Sequence, residues 1–195
     1  MGCEYTRRMG LPVKALVMPT NENDEFPRFL ATGDYEKVSP SRACLSNAMN
    51  VGHPSNLARF FDLFGGTVDR NGLVHCYPER EEMKRHIYSV SITDAETKKT
   101  IKRIYETYGV LLEPHGAVGW RGLEDYLEKQ GDFPLCVSLE TAHPAKFPSE
   151  INELLDIDPK LPQSMKDVDA REGEPVFLNA DEGAFRTYLR ENLRS

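Results

Sequence analysis

The stretch from Pro134 to Phe147, PLCVSLETAHPAKF, changes character halfway. Its first part, Leu135 to Leu139, is apolar, short, and bounded by Pro134 and polar residues. That pattern predicts a buried strand. Pro144 then stands where a helix favours its first residue, because the missing N–H goes unused there. Phe147, Ile151, Leu154 and Leu155 follow at helical spacing. Thr141, Ala142 and His143 therefore fall between a strand end and a helix start. In open α/β sheets ligands bind at that position, and the free N–H groups of a helix start favour anions. A capped helix carrying a surface histidine and lysine would produce the same pattern.

Outward from this stretch, strand-like and helix-like segments alternate. Leu11 to Thr20 reads as a buried strand, and residues 21–35 start as a polar loop and become a short helix stopped by Gly33. Residues 36–56 are polar, with Pro40, Gly52 and Pro54, and read as a long loop. In the next helix Leu57, Phe60, Phe61 and Phe64 share a face, and two glycines end it. Residues 67–85 read as irregular and charged. His86 to Ile92 is a strand candidate. Thr93 can cap a helix with Asp94 and Glu96 at its positive end and Gly109 at its close. Residues 110–131 predict a short strand, a turn at Glu113-Pro114-His115-Gly116, and a helix. Trp120, Tyr105 and Tyr108 lie at helical spacing and read as packing residues. The alternation predicts an α/β fold with a mostly parallel sheet and helices on both faces. Residues 1–158 form its main part. Residues 159–195 read as a proline-rich connector and a helix packing on it. Three predicted strand ends carry polar clusters, at 20–24, 113–116 and 141–143, and parallel strands would bring them to one edge.

Composition narrows the function. The 195 residues carry 24 Lys and Arg against 31 Asp and Glu, a net charge of −7. So acidic a chain is poorly suited to neutralising nucleic-acid phosphates, which leaves small molecules or proteins as partners. No apolar run approaches the ~20 residues of a membrane span. Cys3, Cys44, Cys76 and Cys136 form no C-x-x-C pair, so no structural metal site is expected. Reduced thiols and a cytoplasmic location follow as expectations, with Cys136 a core residue. The start, MGCEYT, fits a short lipidation pattern, but GCEYTRRMG also reads as the end of an amphipathic helix stopped by Gly10. A helix beginning at residue 1 suggests that a segment precedes it.

Four stretches, TNENDEFPRFLATGDY, LSNAMNVGHPSNLARFFDLFGG, SVSITDAETKKTIKRIYETYGVLLEPHGAVGWRGL and TAHPAKFPSEINELL, occur in the order found in threonine synthases. Together they resemble the bacterial and fungal branch of that family over about residues 1–156. The resemblance implies a pyridoxal 5'-phosphate (PLP) enzyme of fold type II, akin to the tryptophan synthase β chain. It converts O-phospho-L-homoserine and water to L-threonine and phosphate by γ-elimination and β-addition. These 195 residues lack the family's Schiff-base lysine and its glycine-rich phosphate loop. The resemblance is thus to a C-terminal portion, with the N-terminal half as an expected partner and no catalytic residue in this chain. The alternatives are a non-catalytic remnant or binding module, or another fold-type-II lyase.

The resemblance also implies roles. Thr141 would face the pyridine nitrogen of the cofactor, where a hydroxyl can donate; the competing reading is an N-cap. Glu113 and the residues Asn21, Asn23 and Asp24 would lie beside the cofactor, against plain turn chemistry as the alternative. His115 belongs to the same turn. Ser46, Asn47, Ser55, Asn56 and Arg59 would meet the substrate phosphate, Arg59 by its fork of donors; Ser55 as a cap and Arg59 as a surface charge compete. His143 and Lys146, three apart, would contact substrate or cofactor, or serve as cap and solvated charge.

Overall fold

A computed structural model describes residues 1–131, 134–166, 172–173 and 175–193. The chain divides into two compact units, Met1–Pro159 and Lys160–Ser195. In the first, α1 (Gly2–Arg8), β1 (Leu16–Val17), α2 (Glu25–Thr32) and α3 (Asn56–Asp62) are followed by β2 (Thr67–Val68) and β3 (Val74–Cys76). Then come α4 (Arg80–His86), β4 (Ile87–Tyr88), α5 (Asp94–Tyr108), α6 (Pro114–Gln130) and α7 (Pro148–Leu155). The second unit holds α8 (Glu182–Asn192), capped by Asp181 Oδ2 accepting from Ala184 N.

The parallel sheet is small. β1 and β4 pair with Leu16 opposite Ile87, and the ladder continues through Met18 N to Tyr88 O, Thr20 N to Val90 O and Ile92 N to Thr20 O. Alternation sends the two faces of β1 to different helices. Leu16 and Met18, with Ile87, join a core of Phe26, Phe29, Phe60, Phe61, Phe64 and Met83 from α2, α3 and α4. On the other face Pro19 abuts α6 so closely that a Cβ on Gly122 would meet its Cβ at 2.4 Å. Tyr88 donates to Asp125 of α6 there. Helices thus cover both faces of an α/β fold.

α5 carries the full capping box: Thr93 Oγ1 accepts from Glu96 N while Glu96 Oε2 accepts from Thr93 N. Ile101 and Ile104 of α5 pack with Ala117 of α6 and Ile151 of α7 in a second core, which Trp120 joins from its edge.

Three sequence expectations are corrected. Residues 135–139 form no strand and are not buried: Leu135 is 97%, Val137 76% and Leu139 65% exposed. A strand needs a neighbour for its N–H and C=O groups, and none of the described residues pairs with this segment. Cys136 is accordingly half-buried rather than in the core. Residues 110–112 are extended without pairing, although Leu112 is buried. Residues 67–85, expected to be irregular, contain the antiparallel hairpin β2–β3 and α4. Its turn is set by Asp69 Oδ1 accepting from Asn71 N and Leu73 N, with Gly72 at φ 85°.

Candidate active site

The start of α6 organises the site. Glu113 sits at its N-cap, 1% exposed, with both oxygens occupied. Oε1 accepts from Gly116 N at 2.8 Å, and Oε2 from His115 N at 2.8 Å and from His115 Nδ1 at 2.7 Å. Burial would raise the Glu113 carboxyl, but these three bonds outweigh it and hold it below the usual carboxylate range. With Nδ1 donating to Glu113, His115 Nε2 is free to accept, and it takes the N–H of Ala48 at 3.4 Å. The loop 45–50 is thereby tied to the helix.

The same loop is held from its other side. Asn21 Nδ2 donates to Ser46 Oγ at 3.1 Å and to Ser46 O at 3.3 Å. Asn21 Oδ1 accepts from Asn23 N, the Asx turn that the sequence allows. Leu45 N donates to Asp94 Oδ1, which locks the loop to the first turn of α5. The clusters at 20–24 and 113–116 are therefore joined through Ser46 to Ala48.

The third cluster approaches through Glu140 and Phe147. Glu140 lays its carboxylate over Gly116, where a Cβ would meet Oε2 at 1.8 Å. Desolvation and the charge of Glu113 push the Glu140 carboxyl up. The Phe147 ring lies 5.3 Å from the His115 ring. Thr141 is exposed, and its hydroxyl makes no hydrogen bond among the described residues. It is not the cap of the helix that follows. His143 is, with Nδ1 accepting from Ala145 N at 3.1 Å, and Pro144 occupies the first position of a 3₁₀ turn. Lys146 is exposed at the end of that turn.

The remaining candidates divide. Asn23 is buried and saturated: it donates to Arg42 O and Asn21 Oδ1 and accepts from Arg42 N. It shapes the loop and offers no free polar atom. Asp24 is engaged with Arg28 at 3.1 Å. Asn47 is exposed beside Ser46. Ser55 makes no side-chain cap, and Arg59 donates to Asn56 Oδ1 at 2.6 Å on the exposed side of α3. Among the described residues no hydrogen bond links Ser55, Asn56 or Arg59 to the Glu113 cluster. Sequence reasoning passed over Glu140, which precedes the TAH motif in a segment read as a strand. It also passed over Ala48, which acts through its backbone and so leaves no side-chain signature. Glu22, Cys44 and Asp94 bring ligand-type atoms within 4.8 Å of one another. Two of these already serve the framework: Asp94 holds Leu45 N, and Cys44 Sγ lies 3.6 Å from both Asn23 Nδ2 and Arg42 O.

Comparison with known proteins bears on the chain as a whole. Residues 116–189 match the family model described as "Threonine synthase, C-terminal". The threonine synthase of Haemophilus influenzae is 37% identical over 161 residues, covering 82% of this chain and 33% of that protein. The crystal structure of threonine synthase from Escherichia coli superimposes with a TM-score of 0.69 at 33% identity, covering 95% of this chain and 39% of that one. PLP-bound threonine synthase from Brucella melitensis superimposes with a TM-score of 0.78 at 25% identity, over 99% of this chain and 43% of that one. The chain thus spans about a third of the length of the curated relatives it matches. In sequence and in fold, it corresponds to the C-terminal portion of the threonine synthase family.

Proposed function

We propose that this chain supplies the C-terminal portion of a cytoplasmic threonine synthase, which converts O-phospho-L-homoserine and water to L-threonine and phosphate. The observation that supports the reading is the match of nearly the whole chain to a PLP-bound threonine synthase, together with the joining of residues 21, 46, 48, 113 and 115 into one hydrogen-bonded cluster. Its four cysteines are all unpaired, as a reducing compartment requires.

The residues present fit the ring side of PLP. Thr141 keeps a hydroxyl unengaged among the described residues, and both oxygens of the Glu113 carboxylate are already satisfied by its own three donors. When bound, PLP supplies an electron sink for carbanions. This chain's residues have the supporting tasks. Thr141 would donate to a ring nitrogen. Glu113 and His115 hold the 45–50 loop in place. Ser46, Asn47, Ser55, Asn56 and Arg59 would orient the substrate phosphate, Arg59 by charge, and His143 and Lys146 would add donor groups at its edge. Asn21 and Asn23 fix the loop at Ser46 and Arg42, and with Asp24 they would lie beside the cofactor.

The lysine and the phosphate loop that complete such a site are not among residues 1–195. A complementary N-terminal synthase segment is therefore the proposed partner. Residues 134–140 offer it a surface: Leu135, Val137 and Leu139 are bare to solvent, and among the described residues no backbone pairs with the segment. A strand of the partner laid along one edge would satisfy that edge.

The test is to mix or co-express the chain with the N-terminal two-thirds of a bacterial threonine synthase and measure phosphate released from O-phospho-L-homoserine. The reading expects turnover from the pair and none from either part. With PLP, the chain alone should give no Schiff-base absorbance and no borohydride-trapped adduct on a single lysine. A pair that associates yet stays inactive would favour a non-catalytic module.

A further inference from the structure

A cavity lined by none of the residues of the Glu113 cluster adjoins the end of β1. It occupies about 240 Å³ between α2, α3 and the end of β1. Met18, Phe26, Leu57 and Phe60 form apolar walls, and Thr20 and Asn56 lie on its rim. Among the described residues one charged side chain lines it: Glu25, in the first turn of α2, 2% exposed. Its Oε2 is buried and meets no hydrogen-bond donor. Buried polar atoms almost always have a partner, and an orphan acceptor costs about 1–3 kcal/mol. The groups around it leave it without one. Arg28 is turned to Asp24 and to Glu36. The Tyr35 hydroxyl is taken by His53. Met1 lines the cavity, but its α-amine forms no ion pair with Glu25 among the described residues.

We propose that this cavity binds a small primary alkylammonium, whose N–H groups donate to Glu25 Oε2 while its carbon chain lies against Met18, Phe26, Leu57 and Phe60. Three features set that class. The orphan atom is an acceptor, so the ligand carries a donor. Burial raises the Glu25 carboxyl to about 6, against its own backbone N–H, which lowers it; Asp24 adds to the rise and Arg28 opposes it. At pH 7.5 the group is therefore an ionised carboxylate with its buried Oε2 unpaired, and a cation satisfies that oxygen better than a neutral donor. The volume equals roughly eight waters at about 30 Å³ each, which suits an amine of four to six carbons. The site shares only Asn56 with the proposed phosphate cluster, and it stands whether or not the threonine synthase reading does.

The test uses the 195-residue chain, labelled at methionine methyls and glutamate carboxyls, titrated with n-butylammonium at pH 7.5 and constant ionic strength. The expected result is a saturable shift of the Met18 methyl and a lowered titration midpoint for Glu25. Glu25→Gln should weaken butylammonium binding by about tenfold or more, the worth of a hydrogen bond to a charged group. It should leave the weaker binding of n-butanol unchanged. Should Glu25→Gln not fold, the Glu25 carboxyl signal of the unaltered chain gives the same contrast between amine and alcohol. An unsaturable Met18 shift, equal binding by both forms, or a Glu25 midpoint that ignores the amine would overturn the proposal. Tighter binding of Nα-acetyl-lysine methylamide than of butylammonium would overturn the small-molecule assignment, by identifying the ligand as a lysine side chain of another polypeptide.

Discussion

His115 Nδ1 lies 2.7 Å from Glu113 Oε2, and the opposite ring nitrogen accepts from Ala48 N at 3.4 Å. The carboxylate thereby selects the tautomer that can hold the loop. Replacing the ring with an apolar one, His115→Phe, removes the acceptor and keeps the bulk against Phe147. Hydrogen exchange at the Ala48 amide should quicken by up to about tenfold, in keeping with one lost bond of ~1 kcal/mol. Amide exchange within α6 should barely change. Equal protection of Ala48 in the variant would remove His115 from its positioning role.

Glu113→Ala should be more damaging. It strips the cap from α6 and leaves the buried Gly116 N–H and the His115 N–H without acceptors. The expected loss is about 1–3 kcal/mol in urea unfolding. The pH dependence has a definite sign. A carboxyl held low in the fold stabilises above its unfolded value, and that contribution is lost as pH falls through the folded one. The wild-type chain should lose this support in acid, and the variant should have none to lose.

Glu25 works in the opposite sense. Its folded value of about 6 lies above the ordinary 4.5. The folded state therefore holds a proton that the unfolded state releases, and stability falls as pH rises from about 4.5 through 6. The full effect is on the order of 2 kcal/mol. Unfolding free energies of wild type and Glu25→Gln should diverge by about 1 kcal/mol between pH 5 and 8, the part of the effect that lies in that window, with the wild type weaker at pH 8. Parallel curves would contradict the buried, unpaired carboxylate.

Gly122 is a packing requirement. Its absent side chain lets α6 touch Pro19, whose ring carbon would stand 2.4 Å from an added Cβ. Neither side can yield without moving backbone. Gly122→Ala should lower the melting temperature despite alanine's higher helix propensity, with a cost of about 1–3 kcal/mol. A variant as stable as the parent would mean that α6 and β1 are less closely held.

The bare row of Leu135, Val137 and Leu139 predicts self-association. Sedimentation of the chain alone should show concentration-dependent dimers or larger species. Val137→Lys should suppress them without altering the helical content, because residue 137 is 76% exposed. If complementation by an N-terminal segment also falls with Val137→Lys, the same row serves both contacts.

These residues also show what a sequence can tell. The Thr93 cap, the phenylalanine face of α3 and the glycine stops at 33 and 109 rest on contacts within a few residues, so local patterns disclosed them; the reciprocal bond from Glu96 reads in the sequence only as a favourable charge. The segment 135–139 has the composition of a buried strand, but burial requires a neighbour, and composition says nothing about whether one is present. Thr141 and His143 are both open to reading as caps, and which of them caps is hidden for a related reason. Either side chain can cap a turn, and only the backbone path decides which one reaches Ala145 N. The link from Asn21 through Ser46 and Ala48 to His115 crosses 25 and 67 residues of chain and uses backbone atoms, which leave no trace in residue type. The orphan oxygen of Glu25 was hidden in the same way. Its position before Phe26 at a helix start looks like an ordinary acidic first turn.

The parallel ladder has a kinetic consequence. Ser89 Oγ meets Met18 O across 71 positions of sequence, and every other rung of that ladder closes a loop of similar length. Closing such a loop costs roughly 4 kcal/mol of chain entropy before a rung is gained. The α5–α6 pair, by contrast, needs only the five residues from Gly109 to Glu113 to turn back on itself. The helical pair should therefore organise first and the sheet last, an order that pulse-labelled hydrogen exchange during refolding would read directly. A nascent chain would hold its helix pair while β1 and β4 were still apart, and in that interval the edges of β1 and β4 would be open to capture by another polypeptide.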